Sequence, residues 1–150
     1  MLKKLENLKK NMSERMNRKG FTLAELLIVV AIISVMVAVS IPIFTSKLEK
    51  AREATDLANM RSAKAAAVAM YLDNTSGSAA TYYYDANGGV LVKESKADIK
   101  GYGKGTTLVG DSSMNGQFGY DNTKANEGNI IEVKLDADGN VTMTWVEASK

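Results

Sequence analysis

The chain has no cysteine and no histidine in 150 residues, and it has one proline, Pro42, and one tryptophan, Trp145. Lack of cysteine excludes disulfides, so any folded part must hold by packing and strand pairing. Without Cys or His, zinc sites of the usual type and nucleophile–base pairs built on thiol or imidazole are also excluded. No glycine-rich phosphate loop follows a strand and opens a helix. The remaining Ser and Asp residues gather in turn-like stretches, so the sequence predicts no enzyme and implies no cofactor. Charge is missing from one place in particular: from Leu26 to Phe44 there is no ionisable side chain.

What is present is unevenly spread. Residues 1–20 carry seven Lys/Arg and two acids, a net +5, whereas residues 21–150 carry twelve Lys/Arg and fifteen acids, a net −3. The overall +2 therefore reflects the first twenty residues. The mildly acidic body argues against a general nucleic-acid binder. Leu23 to Phe44 reaches the ~20 apolar residues that a membrane span needs. The basic start predicts that this end stays in the cytoplasm. One acid, Glu25, lies just inside the apolar edge, where a carboxylate costs at least ~2.5 kcal/mol. Such a group needs a partner.

Pro42 falls near the end of the apolar run and removes one backbone hydrogen bond. With Ser34 and Ser40, which compete locally for backbone groups, it predicts a kink or weak point between Ser34 and Pro42. Helical pattern then resumes. Leu48, Ala51, Thr55, Ala58, Ser62, Ala65, Ala69 and Leu72 recur at three- and four-residue steps, a narrow stripe of small and apolar residues that permits close approach to a sheet or to neighbouring helices. The helix should end near Asn74, where Asn, Ser and Gly accumulate.

Strands and turns follow. Thr81–Tyr84 is a short aromatic strand, and Asn87-Gly88-Gly89 is a turn leading into Val90–Val92. Residues 101–128 read as glycine-rich loop with one strand around Gln117–Tyr120. Ile130–Leu135 and Val141–Val146 form the clearest hairpin, with Ile131, Val133, Leu135 and Val141, Met143, Trp145 each on one face. The expected fold is α+β: a long N-terminal helix with a small antiparallel sheet packed on its C-terminal half. The expected division is a leader over 1–20, a membrane or core helix over 21–44, a helix extension over 45–74 and a β-rich head over 75–150.

Lys19-Gly20-Phe21-Thr22-Leu23-Ala24-Glu25, the apolar run and Pro42 together resemble the type IV prepilin signature, shared by type IV pilins and by the pseudopilins of type II secretion and competence machines. The likeness covers about residues 15–72. It implies cleavage between Gly20 and Phe21 by a prepilin peptidase and N-methylation of Phe21. It also implies assembly through Phe21 and Glu25, with local melting at Ser34 and Pro42. The implied partners are other copies of the chain, the peptidase, a platform protein and an assembly ATPase that acts indirectly. The implied locations are the membrane before assembly and a bacterial surface filament after it. Glu25 would pair with the new Phe21 amine of a neighbouring subunit, and the four-residue offset would set axial stagger. Ser34 stands where the family often has Gly, Ala24 stands where it often has a larger aliphatic residue, and the head lacks a cysteine pair. These departures, with the long leader, lean toward a Gram-positive source.

Other readings of the same residues have to be set beside this one. An ordinary signal peptide could end at Ala38-Val39-Ser40 and release a secreted binding domain beginning at Ile41, but Glu25 in the core and apolar residues beyond Ser40 oppose it. Asp136, Asp138 and Asn140 could ligate calcium, yet Asp-Gly between alternating strands is more often a turn, so no metal is expected. Tyr82–Tyr84 could form an adhesive patch, but more simply one or two of them pack on the helix. Lys93, Lys96, Lys100 and Lys104 read as a solvated edge, not a DNA-binding series.

Overall fold

The computed structural model describes residues 1–16, 20–73, 79–93 and 95–149. Lys19 and Asn74, both used in the sequence reading, lie outside the described residues. The chain divides into two compact units, Met1–Ile41 and Pro42–Lys150.

The first unit contains helix α1, Leu2–Met16, and the beginning of helix α2, which runs Leu23–Asp73. Residues 20–22 are outside any helix. Helix α2 is unbroken through the expected weak point, with Pro42 inside it. The Ser34 and Ser40 hydroxyls donate to the Val30 and Met36 carbonyls, each at 2.7 Å. Such back-bonding lets a polar side chain sit in an apolar stretch without an unsatisfied group.

The second unit is an antiparallel four-stranded sheet against α2. The strands are β1 Ala80–Asp85, β2 Val90–Lys93, β3 Asn129–Leu135 and β4 Val141–Glu147, in the order β2-β1-β3-β4. The β3–β4 hairpin has the expected register: Ile131 faces Trp145, Val133 faces Met143, and Leu135 faces Val141. Tyr82 and Tyr84 point into the core with Leu57, Met60, Ala63 and Ala67 of α2. Tyr83, on the other face of the strand, donates to the Glu132 carboxylate at 3.3 Å.

One expectation is overturned, and one of two alternatives for another is excluded. Residues Gln117–Gly119 are a 3₁₀ turn, not a strand. Gly116, Phe118 and Gly119 have φ of 80°, 53° and 84°, values that an extended strand does not contain. The stripe Leu48, Ala51, Thr55, Ala58, Ser62, Ala65, Ala69 and Leu72 is exposed, so of its two expected neighbours the chain's own sheet is not the one. The buried residues of α2 are instead Glu49, Glu53, Asp56, Leu57, Met60, Ala63 and Ala67. Both sets follow three- and four-residue steps. The fold selects the set that includes three carboxylates because those carboxylates find donors in the head.

Candidate assembly site

The donors come from one loop. Asp56 accepts from the Lys104 and Gly105 backbone N–H groups, each at 2.8 Å. Glu49 accepts from the Thr106 N–H at 2.5 Å, and Arg52 holds its second oxygen at 3.2 Å. Glu53 accepts from the Gly110 and Asp111 N–H groups at 2.8 and 2.7 Å. All three carboxylates are at most 1% exposed. They occupy one helix face because 49, 53 and 56 are separated by four and three residues. Hydrogen bonds to ionised acceptors are among the stronger ones, and a carboxylate buried without them would be prohibitive. The clasp thus fastens residues 104–111 to the helix by main-chain atoms, leaving Leu108 and Val109 exposed at the tip.

Glycine makes the approach possible. A Cβ on Gly110 would overlap the Lys50 backbone nitrogen, and one on Gly105 would lie 2.7 Å from the Tyr120 hydroxyl oxygen and 2.9 Å from Asp56 Oδ2. Lys50 closes the far end by an ion pair with Asp111 at 2.7 Å. The Lys50 ammonium and the Ser113 donors hold the Asp111 carboxyl well below the usual range. Burial pushes Asp56 upward, against the lowering effect of its two N–H bonds. The Tyr102 hydroxyl ties the same loop to the sheet, donating to Tyr84 O and accepting from Ile131 N, each at 2.9 Å. Burial raises the pKa of that hydroxyl.

The N-terminal signature has its own local geometry. Thr22 caps α2: its Oγ1 accepts from the Glu25 N–H at 3.2 Å, and Glu25 Oε2 accepts from the Thr22 N–H at 2.7 Å. This is a reciprocal capping box, which the sequence reading missed although Thr22-Leu23-Ala24-Glu25 spells it. Gly20 and Phe21 precede the cap and are exposed. Sixteen large apolar side chains from Phe21 to Phe44 are exposed as well. At ~1.5 kcal/mol each, leaving them in water would cost on the order of 20 kcal/mol, above the ~5–15 kcal/mol net stability of a typical domain. Among the described residues α2 is the one helix long and apolar enough to cross a membrane, with a most apolar window of mean hydropathy 3.0.

The Asp136–Asn140 segment uses its own oxygens. Asp136 Oδ1 accepts from the Asp138 and Asn140 N–H groups at 2.9 and 2.8 Å, and Oδ2 accepts from Asn140 Nδ2 at 2.8 Å. Gly139, at φ 84°, completes the turn. The Asp136 carboxyl is held low, chiefly by Asn140. Among the lysine series, Lys96 reaches the Glu147 carbonyl at 2.8 Å.

A long N-terminal α-helix with a small antiparallel sheet packed on it defines an α+β protein of pilin-like plan. Residues 15–41 match the family model described as the prokaryotic N-terminal methylation motif, the class III signal of type IV prepilins and pseudopilins. The chain carries that signal, which supports a type IV pilin-like or pseudopilin protein. No curated protein and no solved structure matches the chain. Motif and apolar helix fit a membrane-anchored protein that is later part of a surface filament, processed by a prepilin peptidase. The leaning toward a Gram-positive source gains no support.

Proposed function

We propose that the chain is a structural subunit of a type IV pilus, a filament component with no enzymatic activity of its own. The observation that carries this reading is the union of the class III signal with an apolar segment from Phe21 to Phe44 that none of the described residues covers. Before assembly, lipid covers that segment; in the filament, neighbouring copies of the same helix do. The exchange costs little because both surroundings are apolar. Gly20 and Phe21 are the cleavage site, Phe21 the methylated residue, and Ser34 and Pro42 the places where the helix yields. Partners beyond the peptidase are the platform protein, the indirectly acting ATPase and other copies of the chain.

Glu25 has two roles in this proposal. Its hydrogen bond with Thr22 caps the helix within one copy, and its second oxygen pairs with the Phe21 amine of the next. Glu25→Gln separates the two, because glutamine preserves the capping box and removes the charge. In cells, Glu25→Gln and Glu25→Ala should both be cleaved ahead of Phe21 and both fail to enter sheared filaments. Normal filaments from Glu25→Gln would reduce Glu25 to a helix cap and end the charge-pair proposal. Abundance separates the pilus reading from the pseudopilin one: a pilus subunit dominates sheared surface filaments, and a pseudopilin does not.

A further inference from the structure

Helix α1, Leu2–Met16, has an apolar stripe that none of the described residues covers. Leu2, Leu5, Leu8 and Met12 follow steps of three, three and four residues, and all four are exposed. At 100° per residue these four fall within one third of the helix circumference. Asn7 lies opposite. Lys3 and Lys10 stand on the far side, Lys4 borders one edge of the stripe and Glu6 the other, and Lys9 falls between Leu5 and Leu2. Among the described residues none of these four lysines is in an ion pair. The segment has two acids, Glu6 and Glu14, against five Lys/Arg. An isolated helix of this length is marginal in water, so an external surface has to hold it.

We propose that α1 lies in the plane of an anionic lipid surface, with Leu2, Leu5, Leu8 and Met12 sunk among the acyl chains and the lysines at the headgroups. Charge complementarity favours this occupant: an apolar stripe edged by Lys4 and crossed by Lys9, on a segment with five Lys/Arg and two acids, matches phosphate headgroups above hydrocarbon. Lysine at the border buries its stem and keeps its ammonium among the phosphates. Continuity with a membrane segment favours it too. Helix α2 begins seven residues after Met16 with a membrane-length apolar run, so α1 is tethered beside the bilayer at high effective concentration. The proposal rests on the reading of Leu23–Phe44 as a span. It gives the leader a task before cleavage, holding the Gly20–Phe21 bond beside the membrane face, and keeps the released leader on the lipid afterwards.

The absence of cysteine makes the test clean. The full precursor, with no peptidase present, is prepared with a single Leu8→Cys, Asn7→Cys or Val35→Cys and labelled with a polarity-sensitive fluorophore. It is reconstituted in vesicles of phosphatidylcholine alone or mixed with phosphatidylglycerol. In the mixed vesicles the Leu8 label should shift to the blue and resist acrylamide quenching several-fold better than the Asn7 label. Adding Leu2→Ser and Leu5→Ser, high salt, or omission of phosphatidylglycerol should each remove most of that protection. Equal quenching of the Leu8 and Asn7 labels in the mixed vesicles, with the Val35 label still protected, would overturn the proposal and leave the span intact. Protection of Leu8 that ignores phosphatidylglycerol and salt would overturn the anionic-lipid assignment. Protection that grows with protein density in the membrane would replace the lipid by a second copy. A Val35 label open to quencher would remove the span reading itself.

Discussion

Helix α2 has two regions that obey different rules. From Leu23 to Phe44 every face is apolar and every residue is exposed. From Glu49 to Ala67 one face is buried, and it begins with three carboxylates. In the first region composition decides the surroundings, because no face of the helix can be left in water. In the second, composition misleads: the buried side carries three carboxylates, whereas the uncharged stripe of Ala51, Thr55, Ala58, Ser62 and Ala65 is exposed. Carboxylates sit inside there because five backbone N–H groups of residues 104–111 meet them, and a loop N–H is as much a partner as a cationic side chain.

The largest expected effect is in the first region. Glu25→Gln should abolish filament recovery while leaving cleavage and helix content unchanged, read by shearing, N-terminal sequencing and circular dichroism. In the second region, Glu53→Ala leaves the Gly110 and Asp111 N–H groups without their acceptor and should cost about 3 kcal/mol at ~1–3 kcal/mol per abandoned group. Urea unfolding of the detergent-solubilised protein measures it, and a loss under 1 kcal/mol would mean that water replaces the clasp. Gly110→Ala should follow at about 2 kcal/mol, since its Cβ meets the Lys50 backbone and overpacking typically costs ~1–3 kcal/mol.

A pair of alanines sharpens the contrast. Ala63→Leu, on the buried face, should lose about 1–3 kcal/mol, whereas Ala58→Leu, on the exposed stripe, should stay within about 0.5 kcal/mol in the monomer. Equal losses would contradict the observed orientation of the helix. The smallest effect concerns acid. Asp111 is held below its ordinary 3.8 by Lys50 and Ser113, so its contribution is present above pH 3.8 and fades as the pH falls toward its folded value. Asp56 is raised by burial and acts in the opposite sense, losing stability as the pH rises through the window above 3.8. The difference in melting temperature between the wild type and Asp111→Asn isolates the first effect. It should be constant near neutrality and close below pH 3.8.

Much of the plan was legible. Ile131, Val133 and Leu135 alternate against Val141, Met143 and Trp145 with Asp138-Gly139 between them, and a period of two with a turn leaves little choice of partner. Gln117–Tyr120 reads as a strand because aromatic residues favour strands; left-handed backbone at Phe118 is invisible to that propensity. Glu49, Glu53 and Asp56 share a helix face by spacing alone, and Gly103, Gly105 and Gly110 advertise a loop able to approach closely. Those two signals together could have found the clasp. Read one at a time, a charged residue counts as solvent-facing, and the stripe of Leu and Ala was chosen in its place.

The amino-acid order alone determined the membrane-length run, the basic entry, the Thr22–Glu25 cap and the final hairpin, because each depends on neighbours within a few residues or on a periodicity that one strand or helix contains. Only the tertiary structure decided which side of Glu49–Ala67 faces inward, that residues 104–111 fasten there by their own backbone, and that Gln117–Gly119 turns instead of extending. The first two outcomes rest on hydrogen bonds between groups some fifty residues apart in the chain, whose donors are main-chain atoms that every residue type except proline supplies alike.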